Sequence, residues 1–403
     1  MESSILLNDT VIGVISLLVL LFQGTATLIL LSRLLKGAIR RPPLKPQPAN
    51  PEMLGKVSVV VPTLNEVERI SPCLEGLGQQ TYEVREIIVV DSHSQDGTQE
   101  LVKNAGVKDP RFRLITDDPL PSGWVGRPWA LHNGFLYSSP RSEWVLGIDA
   151  DTQPQRGLVA SLVKAAEEEG YDLVSLSPQF ILKDAGEWWL QPALLMTLLY
   201  RFDSAGVRNQ KPERVMANGQ CFLSRRSVLA ALDGYTCAAG SFCDDVTLAR
   251  EAAKQGFKVG FLDGKNLIRV RMYEGIKETW KEWGRSLDLK DAASTPQVWG
   301  DVALLSLTQG LPLFLLVIFL SFWLVGYHFL SLELAIALNL LLVIIRFSLL
   351  FAVFPSYYKD KSLSVKSLLF WLSPLADPFA VLRIFLSSLQ TPKQWRGRSY
   401  GNE

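Results

Sequence analysis

Two carboxylates, Asp149 and Asp151, stand one residue apart directly after the apolar run Trp144-Val145-Leu146-Gly147-Ile148. At the end of a buried strand their like charges repel, and each loses water. A divalent cation held between carboxylate oxygens and the phosphates of a substrate would offset both costs. The plainer alternative is an acidic strand-to-loop turn. What favours chemistry is the company the pair keeps along the chain.

The elements around it read as an α/β domain over residues 55–270. Val57-Ser58-Val59-Val60-Val61, Glu86-Ile87-Ile88-Val89-Val90, residues 112–116 and residues 144–148 are predicted strands. Residues 99–105 and 157–169 are predicted helices between them. Such alternation implies a largely parallel sheet, whose ligands bind beyond the carboxyl ends of the strands. Polar residues gather at those ends: Pro62, Thr63, Asn65 and Glu66 after the first, Asp91 and Ser92 after the second, Asp149 and Asp151 after the fourth.

In order and spacing, Val59-Val60-Val61-Pro62-Thr63-Leu64-Asn65-Glu66, Val89-Val90-Asp91-Ser92-His93-Ser94-Gln95-Asp96-Gly97-Thr98 and Asp149-Ala150-Asp151 resemble family-2 glycosyltransferases. The resemblance implies a GT-A fold, Rossmann-like, and a nucleotide-diphosphate sugar (UDP- or GDP-linked) as donor. It implies that Thr63 and Glu66 lie along the nucleoside, with Pro62 beside them. Asp91 would accept from the base, Asp149 would face the ribose and share the metal, and Asp151 would bind the Mg²⁺ or Mn²⁺. Leu120-Pro121-Ser122-Gly123-Trp124-Val125-Gly126-Arg127-Pro128-Trp129-Ala130 extends the match. Arg127 replaces the usual Lys at a helix start, where a cation suits a diphosphate. Trp124 and Trp129 read equally as core.

Farther on, Asp244-Asp245-Val246-Thr247-Leu248, with Gly256 after it, is similar to the family's E-D segment, with Asp244 in place of Glu. The resemblance makes Asp245 the general base, with Asp244 either beside it or capping the helix. One carboxylate suffices for a single inverting displacement. Gln220, in Asn218-Gly219-Gln220, falls on the acceptor side. The Q-x-x-R-W motif of polymer synthases is missing, and Trp395-Arg396-Gly397-Arg398 closes the chain instead. An arginine fork at Arg396 and Arg398 suits phosphate oxygens or, equally, anionic lipid. The P-x-G-W-x-G-(K/R)-x-W-A form is similar to membrane members acting on lipids: carotenoid, hopanoid and, more distantly, ceramide glycosyltransferases. Within these, the pattern most resembles enzymes acting on the 2′-hydroxyl of myxol-type carotenoids.

Composition agrees with a membrane enzyme. The 403 residues are 48% hydrophobic and 20% charged, too apolar for a wholly soluble chain and too charged for a wholly membrane one. A net charge of +1 gives no case for nucleic acid. Cys73, Cys221, Cys237 and Cys243 lack C-x-x-C spacing, and the three histidines are scattered, so a zinc site is not expected. Residues 10–32 are uncharged and long enough to span a bilayer, and Arg33, Lys36, Arg40, Arg41 and Lys45 follow. The positive-inside rule then puts the catalytic domain in the cytoplasm. Residues 1–45 form this anchor and its basic flank, and the Pro-rich stretch 42–51 reads as a stiff spacer off the membrane.

Residues 302–332 and 334–354 form two more spans with a turn near 327–331; Arg346, in the second, is either functional or snorkelling. Residues 367–389, broken by Pro374 and Pro378, suit a re-entrant or surface-lying hairpin that keeps the basic tail cytoplasmic. Two further segments read as surface-lying at the membrane: 187–202, whose Trp188 and Trp189 would border the entry of an apolar lipid acceptor, and 271–300 with Trp280 and Trp283. A nucleotidyltransferase remains the reading from another class, although Pro62-Thr63-Leu64-Asn65 contains no glycine for a phosphate loop.

Overall fold

A computed structural model describes residues 2–208, 211–286, 289, 292–358, 365–389, 394–395 and 398–399. Its centre is a seven-stranded sheet built from the apolar runs. The strands are β1 (Val57–Thr63), β2 (Val84–Asp91), β3 (Phe112–Thr116), β4 (Trp144–Ile148), β6 (Leu173–Ser177), β8 (Cys221–Arg225) and β9 (Val259–Asp263). Their order is β3-β2-β1-β4-β8-β6-β9. Only β8 runs against its neighbours β4 and β6; the remaining pairings are parallel. This is the GT-A architecture. The carboxyl ends of six strands therefore share one edge, and the loop entering β8 arrives there too. That loop is Asn218-Gly219-Gln220, which is how it meets residues seventy positions upstream. A smaller sheet, β5 (Thr152–Pro154), β10 (Ile268–Val270) and β7 (Gln179–Phe180), closes over the turn that carries Asp149 and Asp151.

Helices α2 (Ser71–Gly78), α3 (Thr98–Lys108), α4 (Gly126–Tyr137), α5 (Leu158–Glu169), α7 (Arg226–Ala231) and α8 (Asp244–Lys254) surround the sheet. Strand β1 is buried along its whole length, as expected when helices cover both faces of a parallel sheet. Residues 40–50 are not a free spacer. They lie along the domain: Leu44 N–H donates to Asp263 O at 2.9 Å, and Gln47 N–H to Ser161 Oγ at 2.9 Å. Gly157 permits this, because a Cβ there would meet Gln47 O at 2.7 Å. The prolines hold a strap extended where it can be pinned.

A second, helical part comprises α1 (Glu2–Leu34), α6 (Ala185–Arg201), α9 (Gly275–Ser286), α10 (Thr295–Leu305), α11 (Pro312–Val325), α12 (Leu330–Val353) and α13 (Asp377–Leu389). Residues Thr10–Ile39 and Leu330–Ser356 are long and apolar enough to cross a bilayer. Helices α10 and α11, joined by a π-turn at Ser306–Gly310, are bent by 48° and amount to a third crossing only if taken as one broken span. Helix α13 has 13 residues, about 20 Å, short of the hydrocarbon thickness. Leu17, Leu21, Phe22, Leu324, Val325 and Phe351 are exposed around this bundle. Inside it Gln23 Nε2 bridges Leu307 O at 2.8 Å and Asn339 Oδ1 at 2.9 Å, a polar pin between packed apolar helices.

Two membrane-part expectations change. Arg346 does not snorkel: it is 4% exposed and grips Asp377 through Nε and Nη2 at 2.7 and 3.0 Å. A charge in this apolar setting is tolerated only when paired, and the pair ties α12 to the start of α13. Helix α6 is core rather than surface. Trp188 is buried against Phe370, and Trp189 packs on Phe379. The helix has α9 on one side and the 365–389 segment on another, while Leu195, Leu198 and Leu199 face the main cavity.

Candidate active site

A cavity of about 430 Å³ opens at the shared strand edge. Pro62 and Glu66 line it from the end of β1, Asp149 and Asp151 from the β4–β5 turn, Gln220 from the β8 entry and Asp245 from the first turn of α8. The turn is tight because Thr152 folds back: its N–H and Oγ1 both reach Asp149 O, at 3.2 and 2.7 Å.

Arg127 organises this end of the cavity. Its Nε and Nη2 donate to Asp149 Oδ1 at 3.0 and 2.8 Å, its Nη1 to Asp244 Oδ2, and its Nη2 also to Gly219 O at 2.7 Å. A Cβ at position 219 would lie 2.5 Å from Nη2, so glycine is required for the approach. The guanidinium is thus occupied by the protein's own carboxylates, not held out for a diphosphate. Burial works against its charge, but Asp149 and then Asp244 outweigh that and hold it well above its ordinary value. Asp244 is the first residue of α8 and is not its cap; Cys243 takes the cap position.

Asp245 lies beside this pair with a different environment. Its Oδ2 accepts from Gly219 N–H at 2.6 Å. Burial, and next the charge of Asp244, raise its carboxyl to about 6 against the opposing pull of Arg127. Asp244 is also raised, by burial, against the lowering effect of Arg127. The result is two adjacent carboxylates with separate duties: one neutralised by an arginine, the other poised near the pH at which it exchanges protons.

Thr63 and Asp91 are placed otherwise than expected. Asp91 is fully buried. It accepts from Thr63 Oγ1 at 3.0 Å, Ser94 N–H at 2.8 Å, Ser94 Oγ at 2.6 Å and Gln99 Nε2 at 2.7 Å. With four donors it fastens the loop after β2 to the end of β1, and neither residue lines the cavity. Asn65 joins the same lacing: its N–H donates to Ser94 Oγ at 2.8 Å, and its Oδ1 accepts from Gln95 N–H at 2.9 Å. Asn65 and His93 both adopt positive φ, 54° and 64°, a cost accepted at the tips of two loops that must fold toward each other. Trp188 and Trp189 lie outside the cavity, in apolar clusters. Trp124, Trp129 and His132 cluster with ring centroids 5.0 to 5.8 Å apart, Trp129 stacked on His132 and Trp124 set edge-on to Trp129. Arg396 lies outside the described residues, as does the side chain of Arg398.

Three cations at the cavity escaped notice in the sequence: Arg40, Arg69 and Lys281. They come from the juxtamembrane strap, the loop after β1 and α9. Their only signal was charge, which served equally for membrane orientation or helix solvation. The far wall is apolar, built from Leu195 and Leu198 of α6, Phe202 just after it, Met272, Trp283 and Val353. Val353 ends α12, so the apolar end of the cavity reaches the helix that is long enough to cross a bilayer.

The donor set at the turn suits a hard cation. Both candidate ligands are carboxylates, and Asp149 Oδ2 receives no hydrogen bond from the described residues. Among those residues no three His, Cys, Asp or Glu stand together as a metal site. Phosphate oxygens would therefore have to complete the shell.

Residues 58–233 match the model of glycosyl transferase family 2. Asp149, Arg127 and Gln220 fall within the matched stretch. The chain is similar to a 4,4'-diaponeurosporenoate glycosyltransferase of Staphylococcus haemolyticus, 25% identical over 250 residues, covering 61% of this chain and 65% of that protein. The match thus spans just under two thirds of that relative. A GalNAc(5)-diNAcBac-PP-undecaprenol beta-1,3-glucosyltransferase of Campylobacter jejuni is 30% identical over 116 residues, 29% of this chain and 36% of that one. Among solved structures, the mannosyltransferase PcManGT from Pyrobaculum calidifontis, in complex with GDP-Man and Mn²⁺, superposes with a TM-score of 0.51 at 18% identity. It covers 94% of this chain and 98% of its own, so the likeness of fold extends beyond the family-2 domain.

Proposed function

We propose that this protein transfers one sugar, with inversion, from a nucleotide-diphosphate sugar to a hydroxyl of an apolar lipid acceptor at the membrane. The observation that carries the reading is one cavity with two characters. Asp149, Asp151 and Asp245 meet at one end; Leu195, Phe202, Trp283 and Val353 form the other. A donor at the strand edge and an acceptor entering from the α12 side would meet at Asp245.

Asp245 would take the proton of the attacking hydroxyl as that oxygen bonds to the anomeric carbon. The bond to the diphosphate breaks with its electron pair leaving on the nucleotide. Arg127 would keep Asp149 and Asp244 in register rather than touch the substrate, and Arg69, Arg40 and Lys281, each paired only at 3.7 to 4.0 Å with a carboxylate, would draw in phosphate. Mg²⁺ or Mn²⁺ held by Asp151 and Asp149 would neutralise the departing diphosphate. The acceptor favoured is a carotenoid. The staphylococcal relatives are named for one, 4,4'-diaponeurosporenoate, and the apolar wall suits such a chain. A myxol-type 2′-hydroxyl is the specific candidate, with a hopanoid or glycolipid as the runner-up. The catalytic domain would face the cytoplasm, given the cations that follow α1.

The test is mass spectrometry of lipid extracts from a strain lacking the gene, beside the purified chain given UDP- or GDP-sugars. Loss of a hexose or deoxyhexose from one apolar lipid, and release of UDP or GDP, are expected. Release of pyrophosphate instead would mean nucleotidyl transfer.

A further inference from the structure

A second cavity, of about 400 Å³, lies where α1 meets the catalytic domain. It shares no lining residue with the first. Arg33, Lys36, Arg201, Lys211 and Arg214 line it, against Asp301 and Glu213, a net charge of +3. Some of that charge is matched locally: Arg33 pairs with Asp301 at 3.3 Å, and Asp203, outside the lining, pairs with Lys36 and Arg214 at 3.6 and 2.9 Å. Arg201 is not matched. It is 6% exposed, its Nε donates to Thr197 O at 3.0 Å, and its Nη2 has no hydrogen-bond partner among the described residues. Burial lowers it to about 10, the nearby Asp301 failing to compensate. A buried donor left open in a basic cavity is a costly arrangement unless an anion completes it.

Location says which anion. Arg33 is in the last turn of α1, a helix that exposes Leu28 and Ile29 just before it. Leu35 beyond it is 70% exposed, and Trp299, two residues on from the lining Gln297, is 41% exposed. Apolar and tryptophan side chains around a basic pocket at the end of a spanning helix define the headgroup zone of a bilayer. We propose that this cavity binds the phosphate headgroup of an anionic phospholipid, whose chains lie along α1. Phe202, next in sequence to Arg201, lines the catalytic cavity, so the lipid also steadies the acceptor wall.

The purified full-length chain in detergent, titrated with dioleoyl-phosphatidylglycerol or dioleoyl-phosphatidylcholine and read by native mass spectrometry, tests this without turnover. The wild type is expected to retain one phosphatidylglycerol in preference to phosphatidylcholine. Lys36→Gln and Lys211→Gln, both at exposed heads, should each weaken that binding about fivefold, the usual worth of a cation near a charged surface. Equal retention of the two lipids, or an unchanged preference in the double variant, overturns the proposal. Because Arg201 is buried, Arg201→Met is read by thermal midpoint. Phosphatidylglycerol should raise the wild-type midpoint and leave the variant unmoved. A variant that is destabilised but still responds, or a wild-type response to inorganic phosphate alone equal to that of the lipid, also overturns it.

Discussion

Two of the arginine–aspartate pairings in this molecule, those of Arg127 and Arg346, do opposite things. Arg127 joins Asp149 and Asp244 at the mouth of the catalytic cavity, where Asp149 keeps one oxygen available and Asp245 stands beside the pair. Arg346 joins Asp377 deep among apolar helices, with Gln309 donating to the carboxylate and Ser373 accepting from the guanidinium. The first pair is set in an opening and organises groups that can act. The second is sealed and fastens a hairpin. The same ion pair is machinery or mortar according to what surrounds it.

The largest effect should come from the group that Arg127 leaves unneutralised. Asp245→Asn is expected to cut turnover by about two to four orders of magnitude while leaving donor affinity nearly intact. Rates measured beside calorimetric titration of the nucleotide check this; collapse of donor binding would assign Asp245 to the donor site. At the sealed pair, Arg346→Met should cost about 3–5 kcal/mol of stability, because it strands Asp377 without its counter-charge. Arg346→Met with Asp377→Leu should recover most of it. Unfolding in detergent followed by intrinsic fluorescence gives both numbers.

Gly219→Ala sharpens the contrast, since the added Cβ must displace the Arg127 guanidinium. A shift of about 1 Å at a positioned group costs roughly a hundredfold in rate, so kcat should fall by that order with the fold intact by circular dichroism. The smallest effect is that of pH. The Asp245 carboxyl is raised to about 6 by burial and by Asp244, and the proposed base is its ionised form. Turnover should therefore be full above that value and fall about tenfold per unit below it, a limb that Asp245→Asn abolishes. A profile flat from pH 5 to 8 would show that Asp245 carries no proton in the rate-limiting step.

Much of the catalytic domain was legible in the chain. Trp144–Ile148 was predicted to the residue, and β1 and β2 within two, because a strand buried on both faces is a nearly unbroken apolar run; Phe112–Thr116, a half-buried edge strand, was also predicted to the residue. The Asp149-Ala150-Asp151 turn was legible for the complementary reason: charge directly after such a run has few causes. Strand β8, whose entry loop carries Gly219 to the site, was indicated only by family resemblance and not by its own residues. Its antiparallel course depends on β4 and β6, not on its own five residues. Asp91 shows a further limit. Its type and spacing suit either a ligand or a loop clamp, and only the four donors around it decide that it clamps.

By itself the sequence determined what is local or periodic: the buried strands, the helix starts, the apolar stretches long enough to cross a bilayer, and the order of the polar residues at strand ends. Those properties are set by neighbours within a turn or two of chain. The tertiary structure alone decided that α6 is core, that residues 40–50 are a strap, that Arg127 serves the protein's own carboxylates, and that Arg346 is locked to Asp377. Each depends on groups tens to hundreds of positions apart, and the free energy of a charge or a tryptophan is settled by whatever the fold brings against it.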